Sequence, residues 1–228
     1  MPFMYQNGGA IFDENGEFVF DSEAVREAVE FYVGFSADGI GGQPSAVDAG
    51  WGGEAFGTGR AAMAMEGNWV IQFLLDNYPD LNWGVAELPA GPTGEKATMA
   101  FTVCYGVAGN IEGAKADAAW ALVNFLTNDE GALSVAESSF GPMPTRLSAA
   151  EPYLASWQTR TEGANVSAED FQAFIAGGDY SYPWVLPVGF QPFIEAFNAG
   201  LQRAFAGDAT VDDVMAEVVA VAEELLSE

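Results

Sequence analysis

Strands alternating with helices predict an α/β fold for this chain of 228 residues. Three observations carry the prediction. "TMAFTVCYGVAG" (Thr98–Gly109) has the β-branched and aromatic content of a strand. Apolar residues recur at helical spacing near both ends, from Ala24 to Phe35 and from Val211 to Leu225. Gly/Pro-rich stretches such as "PAGPTGE" punctuate the chain between such segments.

In chain order, "AIFDENGEFVF" (Ala10–Phe20) reads as two strand pieces around an Asn-Gly turn. Asp21 or Ser22 then caps a helix whose face carries Ala24, Val25, Ala28, Phe31, Tyr32 and Phe35 and which stops at Asp38-Gly39. After a Gly/Pro/Ala loop come Trp51 and a short helical piece through Phe56. Arg60 to Met65 is expected as a buried strand, Asn68 as the cap of a helix from Trp69 to Asn77, and Asn82 to Leu88 as a further strand. The remainder is expected to be mostly helical: Ala114–Leu126, Glu130–Ser138, Ala149–Trp157, Ala168–Ala176 and Phe193–Phe205, the last closed by Gly207. Thr210 to Asp213 opens the final helix with a capping-box pattern. No internal repeat or low-complexity run is visible.

Half the residues are hydrophobic, enough for one large domain or two small lobes. Against 33 acidic residues stand 7 basic ones and no histidine, a formal net charge of -26. Such a charge repels phosphate backbones and anionic membrane surfaces, which argues against a nucleic-acid partner. The basic residues (Arg26, Arg60, Lys96, Lys115, Arg146, Arg160, Arg203) are scattered and form no anion cradle, so a neutral or cationic ligand is expected. No run of apolar residues is long enough to span a membrane. Met1-Pro2-Phe3-Met4-Tyr5 has neither a charged start nor a cleavage site, so no signal peptide is visible. Cys104, inside an apolar run, is expected to be a buried, inert thiol.

Motifs for chemistry are few. "GTGRAA" (Gly57–Ala62) fits a dinucleotide fingerprint, but it follows a short helix and opens a strand, the reverse of what a pyrophosphate site needs. Without histidine there is no triad, no His-ligated metal and no ordinary base near neutrality. No carboxylate spacing marks a glycosidase pair. "DENG" resembles a calcium loop but lacks the later ligands, and turn chemistry explains it better. The sequon Asn165-Val166-Ser167 shows only that a glycan could be accepted. No catalytic residue, metal site or cofactor is expected.

The aromatics say more. Phe125, Phe193 and Phe197 fall on helical faces and read as core. Trp51, Trp69, Tyr182 and Trp184 lie in or beside irregular Gly/Pro-rich segments or at a strand-to-helix turn. As a group they suggest a cleft lined by flat rings, suited to the C–H faces of sugars or to cations.

The stretches "QNGGAIFDENGEFVFDSEAVREAVEFY", "EAFGTGRAAMAMEGNW", "WGVAELPAGPTGEKAT", "KADAAWALVNFLTNDEGALSVAESSFGPMPTR" and "GDATVDDVMAEVVAVAEEL" occur in this order over nearly the whole chain. In that order they resemble the extracellular solute-binding proteins of carbohydrate ABC importers, solute-binding family 1, the maltose-binding-protein-like group. The resemblance implies a periplasmic-binding-protein-like type II clamp, incomplete here: the second lobe plus the returning segment of the first. Residues 1–98 would begin the second lobe, 99–145 would return to the first, and 146–228 would close the second. Relatives begin with a secretion signal, often a lipoprotein cysteine, and a first lobe, so Met1 is expected to lie within a longer reading frame. The apolar surfaces of Phe101–Met143 would then be exposed and the isolated chain prone to self-association.

The resemblance further implies a neutral mono- or oligosaccharide bound between the lobes and delivered to ABC permease subunits. The protein would not be an enzyme and would act in the periplasm or outside the cell. It would meet the membrane only through the permease or a missing lipid anchor. Trp69 would stack on a sugar ring, and Tyr182 and Trp184 would add ring contacts. Trp51 joins them for its place before the short helix, and Glu66 and Asn68 as hydroxyl partners by adjacency. Where relatives often carry Gly-Gly near the ligand, this chain has Ala100-Phe101, which puts contacts from that strand in doubt. Two other readings stay open: the same fold holding a quaternary ammonium or polyamine, and a carbohydrate-active hydrolase.

Overall fold

The computed structural model describes residues 1–138 and 141–227. Its helices are α1 (Pro2–Gln6), α2 (Glu23–Ala37), α3 (Gly52–Gly57), α4 (Val70–Asn77), α5 (Ala114–Thr127), α6 (Asp129–Ala136), α7 (Ala150–Arg160), α8 (Gln172–Ala176), α9 (Gln191–Ala206) and α10 (Val211–Ser227). Two short strands, β1 (Thr98–Ala100) and β2 (Ser181–Pro183), pair in parallel with Met99 opposite Tyr182. Parallel strands need a long crossover, and here it runs through α5 to α8. The chain divides into two compact units: Met1–Ala46 with Leu88–Phe101 and Gly177–Glu228, and Val47–Glu87 with Thr102–Ala176.

In the first unit α1, α2, α9 and α10 enclose a core that includes Phe20, Val25, Phe193, Phe197, Val214, Met215 and Val218. Phe20 meets Phe193 and Phe197 edge-on, with centroids 5.1 and 5.3 Å apart, a geometry that sets ring edge against ring face. α9 and α10 approach closely because Gly200 leaves room for Val214: a Cβ at that glycine would stand 2.6 Å from Val214 Cγ1. The caps follow the sequence. Ser22 Oγ accepts from Val25 N–H, Gly207 ends α9 at φ +80°, and Thr210 and Asp213 exchange hydrogen bonds of 3.0 and 3.1 Å. The buried Gln6 amide donates to Pro89 O and Ala97 O at 3.0 and 3.1 Å, which fastens the Leu88–Ala97 loop to α1.

In the second unit α4 buries Val70, Ile71 and Leu74 against Trp83, Tyr153, Trp157, Val166 and Phe171. Arg160 ties α7 to α4: its guanidinium lies 3.9 Å from the Trp157 ring centroid, and it donates to Gln72 Oε1.

The strand content is smaller than the sequence predicts. Ala10–Phe20 keeps its turn, where Asp13 Oδ1 accepts from Asn15 N–H and Glu17 N–H, but the flanks form one antiparallel bridge, Phe12 to Phe18. Arg60–Met65 and Asn82–Leu88 are not strands, and Met63 and Met65 are exposed. Apolar composition marks a segment able to pair; among the described residues no neighbour completes a ladder for either. β1 ends at Ala100 for the same reason, which leaves Cys104 exposed where a buried thiol was expected. Phe125, expected in the core, is 48% exposed on α5, a helix that buries none of its residues. Phe31, on the expected face of α2, is exposed as well, while Val29 takes a buried place beside Val25 and Ala28. The expected end of the helix from Glu130 at Ser138 moves to Ala136, and residues 139 and 140 of "SSFGPMPTR" lie outside the described residues.

Candidate functional site

The expected ligand residues fall into two groups, one in each unit. In the second unit, Gly67-Asn68-Trp69 leads into α4. Trp69 is the N-cap residue of that helix, with φ -61° and ψ -20°. Asn68, expected to cap it, does something else: its Nδ2 donates to Gly141 O at 2.6 Å, and its side chain hydrogen-bonds Tyr153. The first turn does without a side-chain cap because Val70 N–H and Ile71 N–H donate to the carbonyls of Gly67 and Asn68 at 3.1 and 3.2 Å.

Trp69 is half-buried. Its Nε1 donates to Glu66 Oε2 at 2.9 Å, and its ring lies over Gly67, where a Cβ would stand 2.6 Å from Cε3. Trp51, the residue before α3, repeats the device in reverse order. Its ring lies over Gly53, where a Cβ would stand 2.7 Å from Cζ2, and it meets Phe73 edge-on at 4.6 Å. Glu66 joins Trp69 to the glycines that follow Trp51. Its Oε1 is so close to Gly52 that a Cβ there would stand 2.5 Å away, and the N–H groups of Gly52, Gly53 and Gly67 face its carboxylate. Burial pushes the Glu66 carboxyl above its ordinary pKa, while Trp69 and the three amides pull it down.

In the first unit, Tyr182 and Trp184 sit two residues apart at β2 and so share a face of the extended chain. They are 41% and 39% exposed. Trp184 N–H donates to Ala100 O at 3.1 Å, which carries the parallel pairing one step past Pro183. Tyr5 of α1 stacks face to face on Tyr182, with centroids 4.0 Å apart and planes 10° from parallel. Burial raises the Tyr5 phenol's pKa, and the neighbouring Tyr182 adds to the rise. Phe101 lies 6.2 Å from the Trp184 ring.

The structure brings Trp51, Glu66, Asn68 and Trp69 together, and separately Tyr182 and Trp184. Sequence reasoning missed the glycines that seat the indoles, although each stands two residues from its tryptophan, a spacing open to inspection. It also missed Tyr5 and Tyr153, which nothing local connects to Tyr182 or Asn68. Among the described residues no three His, Cys, Asp or Glu side chains group as metal ligands.

The sequence profile of the bacterial extracellular solute-binding proteins matches residues 1–196. The chain belongs to that family. Its fold is the type II periplasmic-binding-protein fold in part, as solved structures of similar fold show. An ABC substrate-binding protein from Listeria monocytogenes, in complex with cycloalternan, superposes with a TM-score of 0.77 at 19% identity over 98% of this chain. The maltose-bound MalE3 of T. maritima gives 0.71 at 21% identity, again over 98%. The cyclic α-maltosyl-1,6-maltose binding protein of Arthrobacter globiformis gives 0.67 at 20%, also over 98%. The chain spans 55%, 55% and 54% of these three structures, about half their length. No curated protein matches it. The family and the fold are those of solute-binding proteins, and among the described residues no helix is long and apolar enough to cross a membrane.

Proposed function

We propose that this solute-binding chain is part of the binding component of a carbohydrate ABC importer, which takes a neutral mono- or oligosaccharide and passes it to permease subunits. One observation carries the reading: Trp69 is a half-buried indole held both at its nitrogen, by Glu66, and under its ring, by Gly67. A half-buried indole held in this way has the chemistry that stacks on the C–H face of a sugar. Glu66 and Asn68 border the indole with polar atoms, Trp51 stands in the same unit with its ring on Gly53, and Tyr182 and Trp184, in the first unit, are exposed rings of the same stacking character. The sugars bound by the three solved relatives favour the same ligand class. A quaternary ammonium or polyamine would need a carboxylate turned toward it, whereas Glu66 Oε2 is engaged by Trp69 Nε1 and Oε1 lies against Gly52.

In the same proposal, residues 99–145 belong to the first lobe of the clamp and residues 1–98 and 146–228 to the second. The exposed apolar side chains of this segment, Phe101, Val103, Tyr105, Trp120, Leu122 and Phe125, support it: they have the character of a face built to be covered. The clamp works outside the cytoplasmic membrane and meets it through the permease or a lipid anchor.

Calorimetric titration of the complete clamp with maltose and longer saccharides tests the reading, with betaine and spermidine as the cationic arm. Saccharide binding that weakens by about 1–3 kcal/mol in Trp69→Ala is expected. Binding of the cations alone, or saccharide affinity indifferent to Trp69→Ala, sinks it, and so does release of reducing sugar from a bound oligosaccharide.

A further inference from the structure

Glu66 stands beside the proposed sugar platform, yet the atoms around its carboxylate belong to the protein. Oε2 accepts from Trp69 Nε1 at 2.9 Å. Oε1 lies against Gly52, and the N–H groups of Gly52 and Gly53 open α3 one and two residues after Trp51. Trp69 Nε1 takes one oxygen of the carboxylate, and the backbone at the start of α3 closes on the other. Such a group is well placed to hold the Trp69 indole against the first turn of α3. The local sequence agrees. Gly52, Gly53 and Gly67 each lack the Cβ that would collide with Glu66, the Trp51 ring or the Trp69 ring. Three glycines clear the space in which one carboxylate joins the turn before α4 to the start of α3.

We propose that Glu66 is the positioning residue of Trp69: its carboxylate fixes the Trp69 indole, locks it to the first turn of α3 and acts on solute binding through that indole. This rests on the sugar-platform reading for its consequence, although the geometry it asserts holds with no sugar bound. A carboxylate that merely caps α3 would matter equally whether or not position 69 carries an indole. A positioning carboxylate would matter to binding only through that indole.

Two measurements separate these. In the 228-residue chain, the indole N–H resonance of Trp69, assigned by its loss in Trp69→Phe, is read in ¹H–¹⁵N spectra. Glu66→Ala should move it to the position of a water-exposed indole and speed its exchange with water. Glu66→Gln, which keeps an acceptor and the volume, should leave it between the two, and it carries the test if Glu66→Ala does not fold. In the complete clamp, titration with maltose in the Glu66 and Trp69 variants and their combination gives the second readout. Glu66→Ala should lower affinity roughly tenfold when Trp69 is present, the scale of a lost charge-assisted hydrogen bond, and should change it less than twofold in Trp69→Ala. An indole resonance indifferent to both Glu66 variants overturns the proposal. So does an equal loss of affinity in both Trp69 backgrounds, which would make Glu66 a ligand contact or a plain cap. If maltose does not bind, the carbohydrate reading is what suffers, and the resonance alone decides the role of Glu66.

Discussion

Replacing Gly67 by alanine tests the site through its least conspicuous residue. The φ of Gly67 lies outside the left-handed region, so the backbone accepts alanine. The added Cβ, however, would stand 2.6 Å from Trp69 Cε3 and closer still to two other ring carbons. Carbon atoms rest about 3.5–4.0 Å apart, so the ring must retreat by roughly 1 Å. The Nε1 bond to Glu66 starts at 2.9 Å and cannot survive such a step, since N–H···O bonds weaken beyond about 3.2 Å. A hydrogen bond to a charged group is worth about 1.5–3 kcal/mol, less here because the ring is half-exposed. The lower entropy of the unfolded alanine chain returns about 0.4–1 kcal/mol. Stability should therefore fall by no more than about 1 kcal/mol, a loss of about 2–4 °C in Tm at this size. Saccharide affinity should fall nearly as far as in Trp69→Ala, by about 5- to 150-fold. Thermal melts and calorimetric titration of the complete clamp provide the two numbers. Affinity within twofold of the parent would show that the orientation of Trp69 does not matter, and the site would have to lie elsewhere.

Other outcomes follow from the rest of the structure. Thr210→Ala should cost about 1 kcal/mol in urea unfolding through loss of the α10 capping box. Asp213, whose carboxyl Thr210 holds below its ordinary pKa of 3.8, contributes stability that is present above that value and lost as the pH falls through the lower folded value. Asp213→Asn should thus be destabilising near neutral pH, with the difference from the parent shrinking below pH 3.8. Gly34→Ala and Gly207→Ala should move thermal stability in opposite directions. The first enters open space on helix α2 and gains about 0.5–1 kcal/mol; the second forces alanine to φ +80° and loses about 1–2 kcal/mol. Serine at Trp120, Leu122 and Phe125 should reduce self-association of the isolated chain in light scattering while leaving its Tm unchanged, because α5 buries none of them.

Most helices, and the caps of α2, α9 and α10, were legible because their causes are local. The Ser22 cap, the Gly207 stop, the Thr210–Asp213 box and the stripe through Val214, Met215 and Val218 depend on residues within about one or two helical turns. The family, too, was legible in five ordered stretches, and Trp51, Trp69, Tyr182 and Trp184 stood out by refusing helical spacing. Strands were overestimated because an apolar, β-branched run states a capacity to pair but does not supply a partner: "TMAFTVCYGVAG" pairs for three residues, and Cys104 beyond them is exposed. For the same reason the apolar spacing of α5 could not place Phe125 inside, since burial needs an opposing surface.

Composition and periodicity alone, then, settle an acidic chain with no histidine chemistry and most of its helices, since these are properties of single residues and near neighbours, while the solute-binding family is read from the five ordered stretches. The assembly around Trp69 was beyond them. Glu66 meets Gly52 from fourteen positions along the chain, Asn68 reaches Gly141, and Tyr5 lies flat on Tyr182. Contacts between residues so distant in sequence exist only after folding has brought their backbones together, and no local propensity encodes which distant group will arrive.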